Sequence, residues 1–325
     1  MGKTERKERK EREKYMLTNG GLLLEKRISY FDGKYSNPIR SFSADELQKA
    51  TDNYNHENRI FGYTSHFRWY KGCFEGRLIF VKKYMDSFIP THSRSFLADL
   101  EMFANEILVA AQLSEHKSSL KLLGCCLETQ IPTLVFEFPM NGNLQDQSNP
   151  TCLSWKSRLK IASEIASVIT YLHTALPRPI IHRDIHPGHF YLDQDLCAKL
   201  SDFIYSMALP EGKTQVENEV ACGTLGYLGP EFELFLSITN DFKDDQKEDY
   251  PMAPIQSYVR NHGINGIVDP KILAEGGGVY HHHQFQAVFQ LGLKCCRMNQ
   301  EERPIILDVA KQLRRIQRYV SSLLS

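Results

Sequence analysis

A cluster of ionisable groups sets the first chemical question. Residues 180–193 read I-I-H-R-D-I-H-P-G-H-F-Y-L-D, placing His182, Asp184, His186 and His189 close together. A carboxylate in such a setting can accept a proton from a reacting group. A second carboxylate, Asp202, follows in K-L-S-D-F-I and could hold Mg²⁺, a hard cation that prefers oxygen ligands. Upstream, Lys82 ends the apolar run R-L-I-F-V-K, and Glu106 lies within F-A-N-E-I.

These residues fall into a recognisable order. Residues 182–189 resemble the catalytic loop of a protein kinase, H-R-D-x-x-x-x-N, with Asp184 at the proton-acceptor place. Lys82 resembles the lysine of the kinase V-A-x-K strand, whose partner would be Glu106. Ser201-Asp202-Phe203-Ile204 resembles the D-F-G site. Phe136 stands as gatekeeper, and Glu137, Phe138, Pro139 and Met140 form the hinge whose backbone binds adenine in kinases. Residues 223–231, G-T-L-G-Y-L-G-P-E, resemble the end of an activation segment, with Gly229 for the usual Ala or Asp and with Glu231 paired to Arg303 by resemblance.

The departures are chemical. The Gly-rich loop G-x-G-x-x-G has Gly62, Thr64 and Phe67 at its glycine places, so side chains hold the backbone off a phosphate or fill its space. Read alone, that segment is a plain hairpin. His186 replaces the usual Lys and removes a fixed positive charge, since imidazole is mostly neutral at pH 7. His189 replaces Asn and exchanges an oxygen ligand for an imidazole. Ile204 replaces Gly and cannot take φ > 0 cheaply, which should limit switching. Each loss could cost on the order of a hundredfold in rate. Lys82, Glu106, Asp184 and Asp202 nevertheless remain.

The elements that must position these groups are legible in part. Residues 77–84 read as a buried strand, and 95–113 carry apolar side chains at helical spacing. Ser43 and Glu46 form a capping box, so a helix starts at Ala44. Trp155, Leu159, Ala162, Ile165, Ile169 and Leu172 make one stripe, and Ile306, Val309, Leu313, Ile316 and Val320 another. After Glu231 the kinase pattern breaks. Phe232, Leu234, Phe235, Leu236 and Ile238 read as the rear of a buried helix whose front half is missing, whether by deletion or by a splice or gene-model difference. The triplet His281, His282, His283 reads as a solvated start to a helix rather than a metal site.

Composition sets outer bounds. The chain has 325 residues, 42% hydrophobic and 24% charged, with zero net formal charge, which gives no case for a nucleic-acid partner. Its eight Cys include the adjacent pairs Cys125-Cys126 and Cys295-Cys296 and form no C-x-x-C, as expected of a reduced compartment. No apolar run spans a bilayer, and the charged N-terminus is not a secretory signal. Gly2 invites myristoylation, but Arg6 stands where the motif wants Ser or Thr. The expected organisation is a flexible, charged arm over 1–40, a lead-in helix over 41–57 and a kinase-like domain over 58–325. Its N-lobe would be about 58–138 and its C-lobe about 139–325.

The phrases F-S-x-x-E-L-x-x-A-T-x-N-Y, L-L-G-C-C-L-E and the R-P tail resemble plant wall-associated and receptor-like cytoplasmic kinases. T-Y-L-H-T-A-L-P-R-P-I-I-H-R-D-I, K-L-S-D-F and L-P-E-G-K resemble pseudokinases that act with plant immune receptors of the nucleotide-binding leucine-rich-repeat class. The resemblance implies an α+β, two-lobed protein-kinase-like fold. Its N-lobe would be strand-rich with one main helix, and its helical C-lobe would have a shortened central helix. It implies an adaptor or decoy in plant immune signalling without significant phosphotransfer, partnered by such a receptor and by cytoplasmic kinases. ATP would be held weakly, through Gly62, Lys82, Glu106, Phe138 and Asp202, and Mg²⁺ poorly, at Asp202. The expected location is the cytoplasm, with peripheral plasma-membrane contact open to the N-terminal arm. The alternatives are a weak ATP-dependent Ser/Thr kinase and a scaffold that binds no nucleotide.

Overall fold

The computed structural model describes residues 3–31, 39–60, 67–85, 96–146, 153–213, 222–224, 227, 272, 278–297 and 299–321. Gly62, Thr64, Gly229, Glu231 and the shortened central helix expected after Glu231 lie outside them.

The expectation of a flexible arm over 1–40 is corrected for most of its length. Helix α1 runs Lys3–Phe31. Its Asn19 is buried, and the amide donates to the carbonyls of Leu127 and Thr129, each at 3.0 Å. Arg12 meets Asp45 at 2.9 Å, and Lys26 meets Glu101 at 3.0 Å. Its docking face mixes Arg12, Asn19 and Lys26 with the half-buried Tyr15, Leu22 and Leu23, so charge mixing in the sequence does not mean solvation all round. The apolar residues Leu17, Leu24 and Ile28 point outward, 78%, 55% and 57% exposed.

Strand β1 (Arg40–Ser41) lies parallel to β5 (Leu122–Cys126). Gly124 permits this approach, since a Cβ there would strike the Arg40 carbonyl oxygen. Helix α2 (Ala44–Ala50) begins as its capping box requires. The Ser43 N–H donates to the Glu46 carboxylate at 2.8 Å, and Ser43 Oγ accepts from the Glu46 N–H at 3.2 Å. The sheet is completed by β2 (Arg59–Ile60), β3 (Phe67–Phe74), β4 (Arg77–Tyr84) and β6 (Thr133–Glu137). Its order is β1-β5-β6-β4-β3-β2. One face packs on α2, with Phe42, Leu47, Tyr70, Ile79, Val81 and Val135 forming the core. Helix α3 (Phe96–Gln112) brings Leu100, Phe103, Ile107 and Leu108 into burial.

Two ribbons follow helix α4 (Trp155–Thr174): β7 (Ile180–Ile181) with β10 (Met207–Ala208), and β8 (Phe190–Leu192) with β9 (Ala198–Leu200). The expected N-lobe and C-lobe boundary near residue 138 is not where the contacts divide. Residues 1–149, 175–183 and 187–217 form one unit, and 150–174, 184–186 and 218–325 another. The β8–β9 ribbon joins the first unit through backbone bonds. Leu120 N–H donates to Leu200 O at 2.9 Å, and Leu192 N–H to Gly142 O at 2.8 Å.

The second unit is helical. Helices α4, α5 (Gly278–Cys295) and α6 (Ile306–Ser321) enclose Leu159, Ala166, Leu291, Val309, Ala310 and Leu313. Of the α6 stripe, Val309 and Leu313 are buried and Ile306 and Ile316 pack beside them. The α4 stripe is broader than expected. Ile161, Ala166 and Val168 are buried, whereas Ile165 and Ile169 are half-buried. Trp155 donates its indole N–H to Gln284 at 2.8 Å, and Gln284 donates to Ile316 O at 2.8 Å. The His triplet lies in the opening turns of α5, as part of the helix, with the His282 ring 3.0 Å from the Gln286 amide.

Candidate functional site

Strand alternation decides what surrounds Lys82. Along β4, Ile79 and Val81 enter the core under α2, so Phe80, Lys82 and Tyr84 face the other way. The antiparallel register sets Phe67 opposite Tyr84 and Trp69 opposite Lys82. The two β3 rings therefore share the lysine's face.

Lys82 is fully buried. Its Nζ lies 2.7 Å from Glu106 Oε1 and 3.1 Å from Asp202 Oδ1. Tyr84 donates its hydroxyl to the other Glu106 oxygen. The lysine–glutamate pair expected from the sequence is thus made, and Asp202 joins it. His189 arrives in a 3₁₀ turn, Pro187–His189, with its Nε2 3.4 Å from Asp202 Oδ2. Ser201 fixes that turn, its N–H and Oγ both donating to the His189 carbonyl at 2.9 Å and 3.1 Å. The His182 ring nitrogen sits 3.1 Å from the Ser201 carbonyl, and its face meets the buried Phe203 ring at 5.2 Å.

One ammonium shared by two buried carboxylates separates their proton affinities. Burial pushes Glu106 above its ordinary value, against the opposing pull of Lys82. Burial would raise Asp202 too, but Lys82 and then His189 outweigh it and hold that carboxyl below its ordinary value. Of the two carboxylates, Glu106 therefore takes a proton before Asp202. Burial, reinforced by the Glu106 charge, likewise keeps the Tyr84 phenol protonated.

The D-F-G counterpart is rigidly held. Asp202 takes φ 64°, and Ile204 stays out of the left-handed region and is buried. Asn105 donates to the Ser206 carbonyl at 2.6 Å, and Arg183 donates to the Tyr205 carbonyl at 2.7 Å. Asp202 Oδ1 is taken by Lys82, whereas the buried Oδ2 has no hydrogen-bond partner among the described residues, so a Mg²⁺ here would find one open oxygen. The carboxylate that would offer it oxygens faces an ammonium on one side and an imidazole on the other.

Asp184 belongs to the helical unit. Its Oδ1 accepts from the Thr224 N–H at 2.9 Å, and His186 Nε2 lies 3.9 Å from Oδ2. The His186 ring also faces Tyr227 at 5.4 Å.

Aromatic rings surround the lysine and the hinge, and most went unnoticed in the sequence. The Phe67 ring lies 4.1 Å from Lys82 Nζ. Trp69 stacks flat on Phe80, 3.9 Å apart and 2° from parallel. Trp69 reaches the gatekeeper Phe136 at 5.6 Å, and Phe80 reaches the hinge Phe138 at 5.8 Å. Tyr191, from β8, closes to 5.2 Å of Phe80 and 5.7 Å of Trp69. A signal existed: in G-x-G-x-x-G-x-V the Val place holds Trp69, and in V-A-x-K the Ala place holds Phe80.

This arrangement, a lysine–glutamate pair on a twisted sheet with a helix behind it and an S-D-F segment at its side, is that of a protein kinase. The protein kinase domain family matches residues 74–241, and the chain belongs to that family. It is similar at 37% identity to "Non-functional pseudokinase ZED1" of Arabidopsis thaliana, across 96% of this chain and 99% of that one. It is 35% identical to "Serine/threonine-protein kinase ZRK1" of the same plant, across 97% and 96%. Wall-associated receptor kinase 5 of Arabidopsis thaliana is 32% identical across 95% of this chain but only 43% of its own length. Among the described residues, no helix is long and apolar enough to cross a membrane.

Proposed function

We propose that the protein is a pseudokinase that works by binding other proteins, as an adaptor or decoy in plant immune signalling. The observation that carries this reading is the state of Asp202. Its Oδ1 is engaged by the chain's own Lys82, and His189 stands 3.4 Å from Oδ2 at the place where a kinase has an oxygen ligand for metal. The fold around it is kept intact, which favours a role for shape over turnover. The relative named a non-functional pseudokinase and aligned over nearly its whole length supports the same reading. The exposed Leu17, Leu24 and Ile28 on α1 supply apolar surface of the kind that partners cover. The partners proposed are an immune receptor of the nucleotide-binding leucine-rich-repeat class and cytoplasmic kinases, met in the cytoplasm or at the plasma membrane.

The second reading is a weak Ser/Thr kinase. It is favoured by the formed Lys82–Glu106 pair and by the relative named a serine/threonine-protein kinase. Co-purification from plant tissue, run beside a phosphotransfer assay, separates the two. The adaptor reading expects Asp184→Asn to capture partners as well as the intact chain does, and expects no incorporated phosphate from either. Phosphate incorporation that Asp184→Asn abolishes establishes the kinase instead.

A further inference from the structure

The rings between Lys82 and the hinge have a consequence for nucleotide. In a kinase the lysine marks the phosphates and the hinge backbone marks the base, so the nucleotide lies between them. Here that interval is crossed by rings in unbroken contact. Phe67 covers the Lys82 ammonium at 4.1 Å and meets the edge of Trp69 at 5.8 Å. Trp69 lies on Phe80 at 3.9 Å, and Phe80 touches Phe138 of the hinge at 5.8 Å. A planar base needs roughly 7 Å between the faces that sandwich it, twice an ordinary carbon contact of about 3.5 Å. The contacts across this site are all tighter than that.

Burial makes the same point independently. The walls of an open cleft are wetted. Trp69 is 3% exposed, Phe80 and Phe136 0%, and Tyr191 4%. These side chains are covered by one another. The Tyr191 ring lies against two of them, 5.2 Å from Phe80 and 5.7 Å from Trp69. Lys82 meanwhile has its charge shared by Glu106 and Asp202 and its face met by Phe67, so a phosphate would have to displace that ring to reach it.

We infer that the chain's own aromatic side chains, Trp69 and Phe80 foremost, replace the nucleotide, so that the protein is complete without ATP. The plug substitutes for the ligand both sterically and by supplying the packing that bound base would supply. This inference is separate from the adaptor reading. Nucleotide binding by the intact chain would defeat it and leave adaptor function standing, whereas phosphotransfer would defeat both.

The experiment is a thermal-shift and calorimetric titration of the full chain with ATP, with Mg²⁺ and with EDTA. The intact chain is expected to show no shift and no heat of binding under either condition. The Trp69→Val/Phe80→Ala chain is expected to gain an ATP-dependent rise in Tm. Binding by the intact chain overturns the inference. A folded double variant that gains nothing also overturns it, because the rings would then not be what excludes the base. If the double variant does not fold, Trp155→Phe leaves Trp69 as the only tryptophan. Its emission is expected to be blue-shifted, shielded from acrylamide and unchanged by ATP. Quenchable emission, or a spectrum that responds to ATP, rejects the plug.

Discussion

Lys82 Nζ stands 3.1 Å from Asp202 Oδ1 while also contacting Glu106 at 2.7 Å, and all three side chains are buried. Removing the cation leaves two carboxylates facing each other without water. Lys82→Met, the usual way of silencing a kinase, is therefore expected to cost about 3–5 kcal/mol of folding stability here. Urea denaturation measures it. A midpoint equal to that of the intact chain would show that the lysine is not structural, and Asp184→Asn is the better silencing control because an amide can still accept from Thr224.

Glu106 and Asp202 should differ in their response to pH. The Glu106 carboxyl, raised in the fold above its ordinary 4.5, makes the native state bind more protons than the unfolded chain in the interval above that value. Its contribution is present below 4.5 and is lost as pH rises toward the folded value. Glu106→Gln keeps partners for Tyr84 and Lys82 and removes this loss, so the Tm of the intact chain minus that of the variant should fall as pH rises. Asp202, lowered in the fold, has the opposite sign. Its stability is present above its ordinary 3.8 and is lost as pH falls through the folded value. Asp202→Asn should therefore cost most near neutrality. Scans of melting temperature against pH that ran parallel for all three chains would contradict both assignments.

Cysteine reactivity reports the sheet. Burial pushes the Cys125 thiol up to about 12 and the Cys126 thiol up to about 11, while Cys73 at the end of β3 is exposed. At pH 8 an alkylating reagent should modify Cys73 in the native protein and reach Cys125 and Cys126 only on unfolding, because the thiolate is the nucleophile. Peptide mapping after a short pulse decides it, and native labelling of Cys125 would mean that β5 is open.

Asn19→Ala removes the only side chain shown bonding both the Leu127 and Thr129 carbonyls among the described residues. Two acceptors then lose their partner beneath a helix, with an expected cost of about 1–3 kcal/mol. Hydrogen exchange in α1 should accelerate, and unchanged protection over Lys3–Phe31 would reject the docked helix.

The sequence motifs located the cluster because its members carry fixed spacings from recognisable neighbours. Lys82, Glu106 and Asp202 do meet, and the Ser43 capping box starts α2 as read. Motif matching was blind where the information lay in side-chain size. Trp69 and Phe80 stand at places marked by small residues, and only strand alternation from Lys82 reveals that they face inward together. Helix α1 is hard to read because its docking face mixes an amide and ion pairs with the half-buried Tyr15, Leu22 and Leu23, while Leu17, Leu24 and Ile28 lie outside it, so no clean apolar stripe announces the buried face. The breadth of α4 burial escaped for the opposite reason, since Ile161, Ala166 and Val168 off the stripe are also covered.

The buried amide of α1 also sets an order of events during synthesis. Asn19 and the carbonyl it grips at Leu127 are 108 residues apart in the chain. At 5–20 residues per second the helix emerges about 5–20 s before its receptor loop exists. Through that interval Leu17, Leu24 and Ile28 ride on a segment with nothing to hold it, and they remain uncovered after it docks. This face is thus on offer before the sheet has closed, and it is still on offer once folding is finished.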